Sequence, residues 1–448
     1  MGHEIDNDVK IAFNWFLGFF EEEEWLSRKN NIEQRLSSTL TAKEFKANTN
    51  DLKPLAIHDD RIGWYLYLLE SFLYHPYNYE PTQGSRVIPF FKRFGSDLDL
   101  LKAIDGVEAK VKKLLHSNKN SADSDLFEMA TALLWARNDY TVKFIPEAPP
   151  DKKPDIKAAS AKGEWFIECK RLNMHSEYSK KEREKWLEMW SKVKNHIFDL
   201  GTPFLFDITF HIEILSLPDD FMVQELLGKL KFVVVPGILI FNKIWTVKVD
   251  FVDFNKVQSH LSKNYVKYPS DQFKDLIAGE RRPNDNFTCI MDGSFVRVGE
   301  GSVNNQYIDK INLAVGVFWA CDSENAIYKK AKDIKKRLSE AVNQIPKNES
   351  SVVHIGIETI DGQDVEKERF IKILNTVETF DFNGKDLKWI YCHLFQAYAP
   401  PDKAWVHDET IYYFNNITEK HQPLRFNHMI TPEEHVSDDG VHWLKDPP

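Results

Sequence analysis

Lys153-Pro154-Asp155-Ile156, followed one turn later by Trp165-Phe166-Ile167-Glu168-Cys169-Lys170, sets two carboxylates and a lysine close together in an otherwise apolar setting. The segment 163–170 is apolar and bounded by a glycine, which predicts a short buried strand. Side chains alternate faces along a strand, so Glu168 and Lys170 point one way and Cys169 the other. Asp155 ends a loop rich in Pro and Lys and begins a second short strand, 156–159. A hairpin through 160–163 brings that strand alongside Glu168.

These residue types suit phosphodiester hydrolysis. A hard divalent cation polarises the phosphoryl oxygen and supplies hydroxide near neutral pH, and Mg²⁺ is held by oxygen ligands, usually one or two carboxylates plus water. Asp155 and Glu168 fit as ligands. A lysine beside them orients the attacking water or stabilises charge on phosphorus, the role expected of Lys170. Upstream, the segment 126–137 is apolar on nearly every side, which marks a buried helix carrying Glu128. A buried carboxylate requires a partner. Either the neighbouring metal site or a lysine or cap supplies it.

Helix, hairpin and Glu-x-Lys in this order resemble the PD-(D/E)xK, or restriction-endonuclease-like, nuclease superfamily. Pro154-Asp155 matches its first element, Glu168-Cys169-Lys170 its second, and Glu128 its frequent helix carboxylate. The resemblance implies an α/β fold with a central mixed sheet flanked by helices. It also implies catalysis by Asp155, Glu168 and Lys170, and Mg²⁺ or Mn²⁺ held by Asp155, Glu168 and Glu128. The substrate it implies is a nucleic acid, with DNA the expected one.

The remaining sequence sets the surroundings of that core. At 448 residues, 42% hydrophobic and 28% charged, the chain is long enough for two or three domains. Residues 1–120 show helical periodicity at 11–25, 62–73 and 98–115, with breaks at 44–54 and 76–85, and read as a helical accessory domain. The aromatics Phe13, Trp15, Phe16, Phe19, Phe20 and Trp25 recur at helical spacing and read as core. Residues 121–171 are the first part of the nuclease-like core. Beyond it come a Lys/Glu-rich helix at 179–200 and strands at 204–215, 232–241 and 245–254. A polar stretch at 263–286 follows, then a strand at 312–320, a basic helix at 326–345, a strand at 352–358, a helix at 366–376 and a strand at 389–395.

Two threadings compete for the rest of the core. Either the 179–200 helix and 204–210 strand complete it, or 172–310 is a large α/β insertion and the core resumes in 311–448. The second is favoured, because 338–345 followed by 352–357 has the compact character of a right-handed crossover. It makes the 179–200 helix a flap beside the active site.

The net charge of −10 argues against a protein that coats nucleic acid indiscriminately. Residues 151–200 nevertheless carry 12 Lys+Arg against 9 Asp+Glu, a local net of +3. Lys152, Lys153, Arg171, Lys329, Lys330, Lys336 and Arg337 are the candidate phosphate contacts, with an ordinary solvated helix face the alternative for the later four. The four cysteines show no CxxC spacing and read as reduced, buried thiols. His421, His428, His435 and His442 recur every seven residues, but Pro423 and Pro432 forbid a continuous helix, so the spacing is read as coincidence. No apolar run is long enough to span a membrane and no signal-like or myristoylation sequence begins the chain, so a soluble, cytoplasmic protein without a membrane partner is expected. Sequence leaves the oligomeric state open. GxSxG, GxxxxGK[ST], HExxH and GxGxxG are absent, and a glycosidase would have no use for Lys170. The alternative function is a nuclease-fold protein that binds nucleic acid, or serves as a scaffold, without turnover.

Overall fold

The computed structural model describes residues 5–21, 23–40, 45–47, 57, 59–146, 153–161, 163–172, 174–282, 286–298, 306–400, 403–415, 421–432 and 441. The strands, in chain order, are β1 (Phe45–Ala47), β2 (Thr141–Phe144), β3 (Ile156–Ser160), β4 (Gly163–Arg171), β5 (Phe204–Phe210) and β6 (Gly237–Phe241). They continue with β7 (Trp245–Phe251), β8 (Asn286–Arg297), β9 (Gln306–Cys321), β10 (Ser351–Glu358), β11 (Leu387–Tyr398) and β12 (Val406–Asn415). They form two mixed sheets flanked by helices, ordered β12-β11-β10-β4-β3-β2 and β1-β8-β9-β5-β7-β6.

The first sheet holds the hairpin. β4, β10 and β11 run parallel, with β2, β3 and β12 antiparallel on the flanks. Every residue of β10, Ser-Val-Val-His-Ile-Gly-Ile-Glu, is buried, as expected of a parallel strand covered on both faces. One face packs against the helices Pro81–Ser96 and Ala122–Arg137, the other against Lys335–Val342 and Gln363–Thr379. Gly356 lets the first of these layers approach closely, since a Cβ there would lie 2.8 Å from the Phe127 ring. A buried polar line crosses the same layer. Trp135 Nε1 donates to His354 Nε2 (3.1 Å), His354 Nδ1 meets His393 Nε2 (2.9 Å), and His393 Nδ1 meets Glu409 (3.3 Å). Glu409 then accepts from the backbone N–H groups of Met429, Ile430 and Thr431, which fastens the segment after β12 to the sheet.

Several sequence expectations are revised. The helices of residues 1–120 share one continuous apolar core with β3, β4 and the Ala122–Arg137 helix rather than packing apart as an accessory unit. The expected 11–25 helix is two, Asn7–Leu17 and Glu24–Leu40, and the 76–85 break contains the start of the Pro81–Ser96 helix. Pro81 there occupies the first turn, where no N–H is needed, and Glu80 caps it by accepting from Thr82 and Gln83. The strand expected at 312–320 belongs to β9 in the second sheet, so the excursion runs past Cys321 before the chain returns at β10. The Lys/Glu-rich helix Glu177–Phe198 is a wall of that second sheet and no flap. Trp186, Met189, Trp190 and Val193 are buried against it, with Trp186 stacked on Trp319. All four cysteines are buried thiols outside any disulfide. His435 and His442 lie outside the described residues.

Candidate functional site

Gly163, at φ 130°, turns the chain between β3 and β4, and the register Ile156↔Ile167 places Asp155, one residue before β3, beside Glu168. Asp155 Oδ2 accepts the Cys169 backbone N–H at 2.8 Å. Glu168 and Lys170 share one face of β4, and Lys170 Nζ donates to Glu168 Oε1. Cys169 faces the opposite way, into the apolar core under the Ala122–Arg137 helix. Lys170 is held from a second side as well, since its Nζ donates to Gln344 Oε1 at 2.9 Å, and Gln344 Nε2 donates to the Lys153 carbonyl at 3.4 Å.

Glu128 sits on the neighbouring helix but is engaged elsewhere. Lys110 pairs with it and also with Asp125, the latter at 2.7 Å. Among the described residues no group of three or more His, Cys, Asp or Glu is arranged to hold a metal ion. The hairpin brings Asp155 and Glu168 side by side, while Glu128 is held by Lys110. The Lys110 ammonium draws the Glu128 carboxylate into an ion pair, and the Glu128 charge adds a small upward push to Glu168.

That charge is felt. Desolvation, then the Asp155 charge, push Glu168 up to about 9 against the pull of Lys170. Desolvation, then Asp155 again, push Glu128 up to about 8 against Lys110. Asp155 is raised too, chiefly by desolvation, with the Cys169 N–H and Lys170 working against it. Four carboxyls, Asp125, Glu128, Asp155 and Glu168, thus share two ammonium groups, Lys110 and Lys170. Glu168 is fully buried, its carboxyl hydrogen-bonds with that of Asp155, and no N–H or hydroxyl donor reaches its Oε2.

A buried carboxylate oxygen with no such donor, beside a second carboxylate, fits a hard divalent cation, which needs only one or two carboxylates and completes its shell with water. Asp155 and Glu168 are the residues that would hold it. A raised acid pKa also sets a pH dependence. An unfolded glutamate ionises near pH 4.3, whereas folded Glu168 keeps its proton up to about 9. The folded state binds the extra proton in that window, so stability falls as pH rises through it. Glu168→Gln, which mimics the protonated form, is expected to raise the metal-free melting temperature at pH 8 and leave it almost unchanged at pH 5. Equal shifts at both pH values in a thermal-melt series would show that Glu168 is ionised when folded.

The candidate phosphate contacts divide. Lys153 is exposed at the site's rim and Lys336 is exposed on the Lys335–Val342 helix, while Arg337 pairs with Glu340 at 2.7 Å. Lys329 is exposed but pairs with Glu213 at 2.6 Å. Lys330 is buried against Glu182 at 2.6 Å. Arg171 is buried on Glu358, also at 2.6 Å, between the Phe90 and Phe395 rings. Lys330 and Arg171 are thus engaged with carboxylates of their own. Lys152 lies outside the described residues. The basic helix expected at 326–345 is broken into Glu324–Lys330 and Lys335–Val342, because Ala331 is extended, and its lysines do not form one face.

Sequence reasoning missed Lys110 and Gln344. Lys110 reads as the solvated side of an amphipathic helix, and Gln344 carries no signal of its own. No family model, no curated protein and no solved structure matches this chain.

Proposed function

We propose that the chain is a divalent-metal-dependent nuclease in which Asp155 and Glu168 hold the ion and Lys170 faces the scissile phosphate. The observation that carries this reading is the fully buried Glu168 beside the partly buried Asp155, with Lys170 fixed on the same strand face as Glu168. The cation, when bound, would supply Lewis acidity toward phosphorus and an activated water. The chain's own residues do the rest. Burial of Glu168 removes competing water from one side, Gln344 restrains the Lys170 ammonium, and the Cys169 N–H orients Asp155. DNA is the proposed substrate, approached past exposed Lys153 and Lys336.

The second reading, a nuclease-fold module that binds without cutting, is favoured by one feature, the capture of Glu128 by Lys110, which leaves two carboxylates for the ion.

Cleavage of plasmid, linear duplex, single-stranded DNA and RNA with Mg²⁺ or Mn²⁺ separates the two. Cutting that Asp155→Ala abolishes supports the nuclease, and cutting that survives the substitution sinks it. A readout independent of turnover is the melting temperature with Mn²⁺. Because Glu168, raised to about 9, holds a proton in the folded chain, the ion must displace it, and affinity rises with pH. Mn²⁺ is expected to raise the melting temperature more at pH 8 than at pH 6, and Asp155→Ala to remove the difference.

A further inference from the structure

The second sheet ends at an edge that is unusually apolar. Residues 232–242, Phe-Val-Val-Val-Pro-Gly-Ile-Leu-Ile-Phe-Asn, contain no charged side chain, with Lys231 and Lys243 just outside. β6 pairs only with β7, and among the described residues no strand occupies its other side. Phe232, Val234, Val235, Ile238 and Phe241 are between 63% and 81% exposed. Sheet edges are ordinarily guarded by charge, because an open row of N–H and C=O groups beside apolar side chains recruits another strand. Here charge is missing over the whole segment, although Pro236 precedes the strand and its pairing with β7 shifts register between Ile238 and Ile240.

We infer that this edge is where a second copy of the chain docks, β6 pairing antiparallel with β6 of the copy about a two-fold axis to join the two sheets. An isologous contact demands a self-complementary surface. An uncharged apolar strand meets the requirement, since no side chain of 232–242 would face a like charge. The area is adequate. The five exposed side chains present on the order of 600 Å², against about 800 Å² per partner in a standard interface, and the strand backbone adds to this. A lipid surface suits the side chains but not the backbone, because the unpaired N–H and C=O groups of an open strand edge find no partner in hydrocarbon. Another strand satisfies both.

Sedimentation equilibrium of the full chain across the micromolar range tests this. The expected result is an apparent mass approaching twice 52.3 kDa, and a single-chain mass for Ile238→Lys/Phe241→Lys with unchanged circular dichroism. A parent that stays at the single-chain mass overturns the inference, as does a double variant that still dimerises. If the strand variant fails to fold, Phe232→Ser/Val234→Ser, outside β6, is expected to weaken the dimer at least tenfold. An unaltered dimer there overturns it too. Phosphatidylserine vesicles form the remaining arm, and a monomeric parent that cosediments with them makes the patch a lipid contact.

Discussion

Lys170→Met is expected to lower metal-dependent cleavage by about a hundred- to a thousand-fold, the usual cost of removing one preorganised group aimed at charge that develops in the transition state. The loss should fall on kcat more than on substrate affinity, because the ammonium is restrained by Glu168 and Gln344 rather than free to follow the ground-state phosphate. The fold should survive, since Glu168 can remain protonated once its partner is gone. Lys170→Arg is not expected to rescue, as a planar guanidinium cannot meet both acceptors as a point charge does. Single-turnover cleavage with far-UV circular dichroism decides the matter. A variant within a few-fold of the parent would remove Lys170 from the chemistry.

The second large effect is on stability. Glu358, at the end of β10, accepts from Arg86 Nε at 3.0 Å and Nη2 at 2.6 Å, and from Arg171 Nη2 at 2.6 Å. Burial opposes its ionisation, yet the two guanidinium groups outweigh burial and hold the carboxyl well below the usual carboxylate range. Glu358→Ala leaves two buried cations facing each other without a counter-charge and is expected to cost about 3–5 kcal/mol at neutral pH in urea unfolding. The sign with pH follows from the depressed acid. Its contribution is complete above the unfolded value near 4.3 and fades as pH falls toward the folded one. The gap between parent and variant should therefore narrow at about pH 3. A constant gap would mean that packing, not charge, holds the Arg86–Glu358–Arg171 cluster together.

The hairpin was legible because period-two alternation and one glycine suffice to phase Asp155, Glu168 and Lys170. The apolar helix around Glu128 was legible, although Glu128 itself is only partly buried on it. What it pairs with was not, because Lys110 lies on a separate helix, and local periodicity marks such a lysine as solvated. Long-range pairing hid the rest. Arg171 and Lys330 look like free cations until Glu358 and Glu182 are placed beside them. The strand at 312–320 shows its type but not its sheet, since alternation of strands and helices is the same whichever neighbour a strand finds. The Pro81–Ser96 helix hid behind Pro81, Gly84 and Pro89, residues that break helices in isolation and are tolerated here at the first turn and in a packed core.

The position of β10 beside β4 has a temporal consequence. The chain leaves β4 at Arg171, builds β5 to β9 of the second sheet, and only then supplies the strand that covers β4. Gln344, which restrains Lys170, stands 174 residues downstream of it. During synthesis the Asp155–Glu168 hairpin emerges with one flank bare and its lysine unrestrained, while the second sheet has all of its long strands and can close first. Contacts of such sequence separation form late and slowly. The chain thus completes the surroundings of Asp155 and Glu168 last, and a ribosome-bound or truncated product that ends before β10 would carry the acidic pair without the scaffold that positions it.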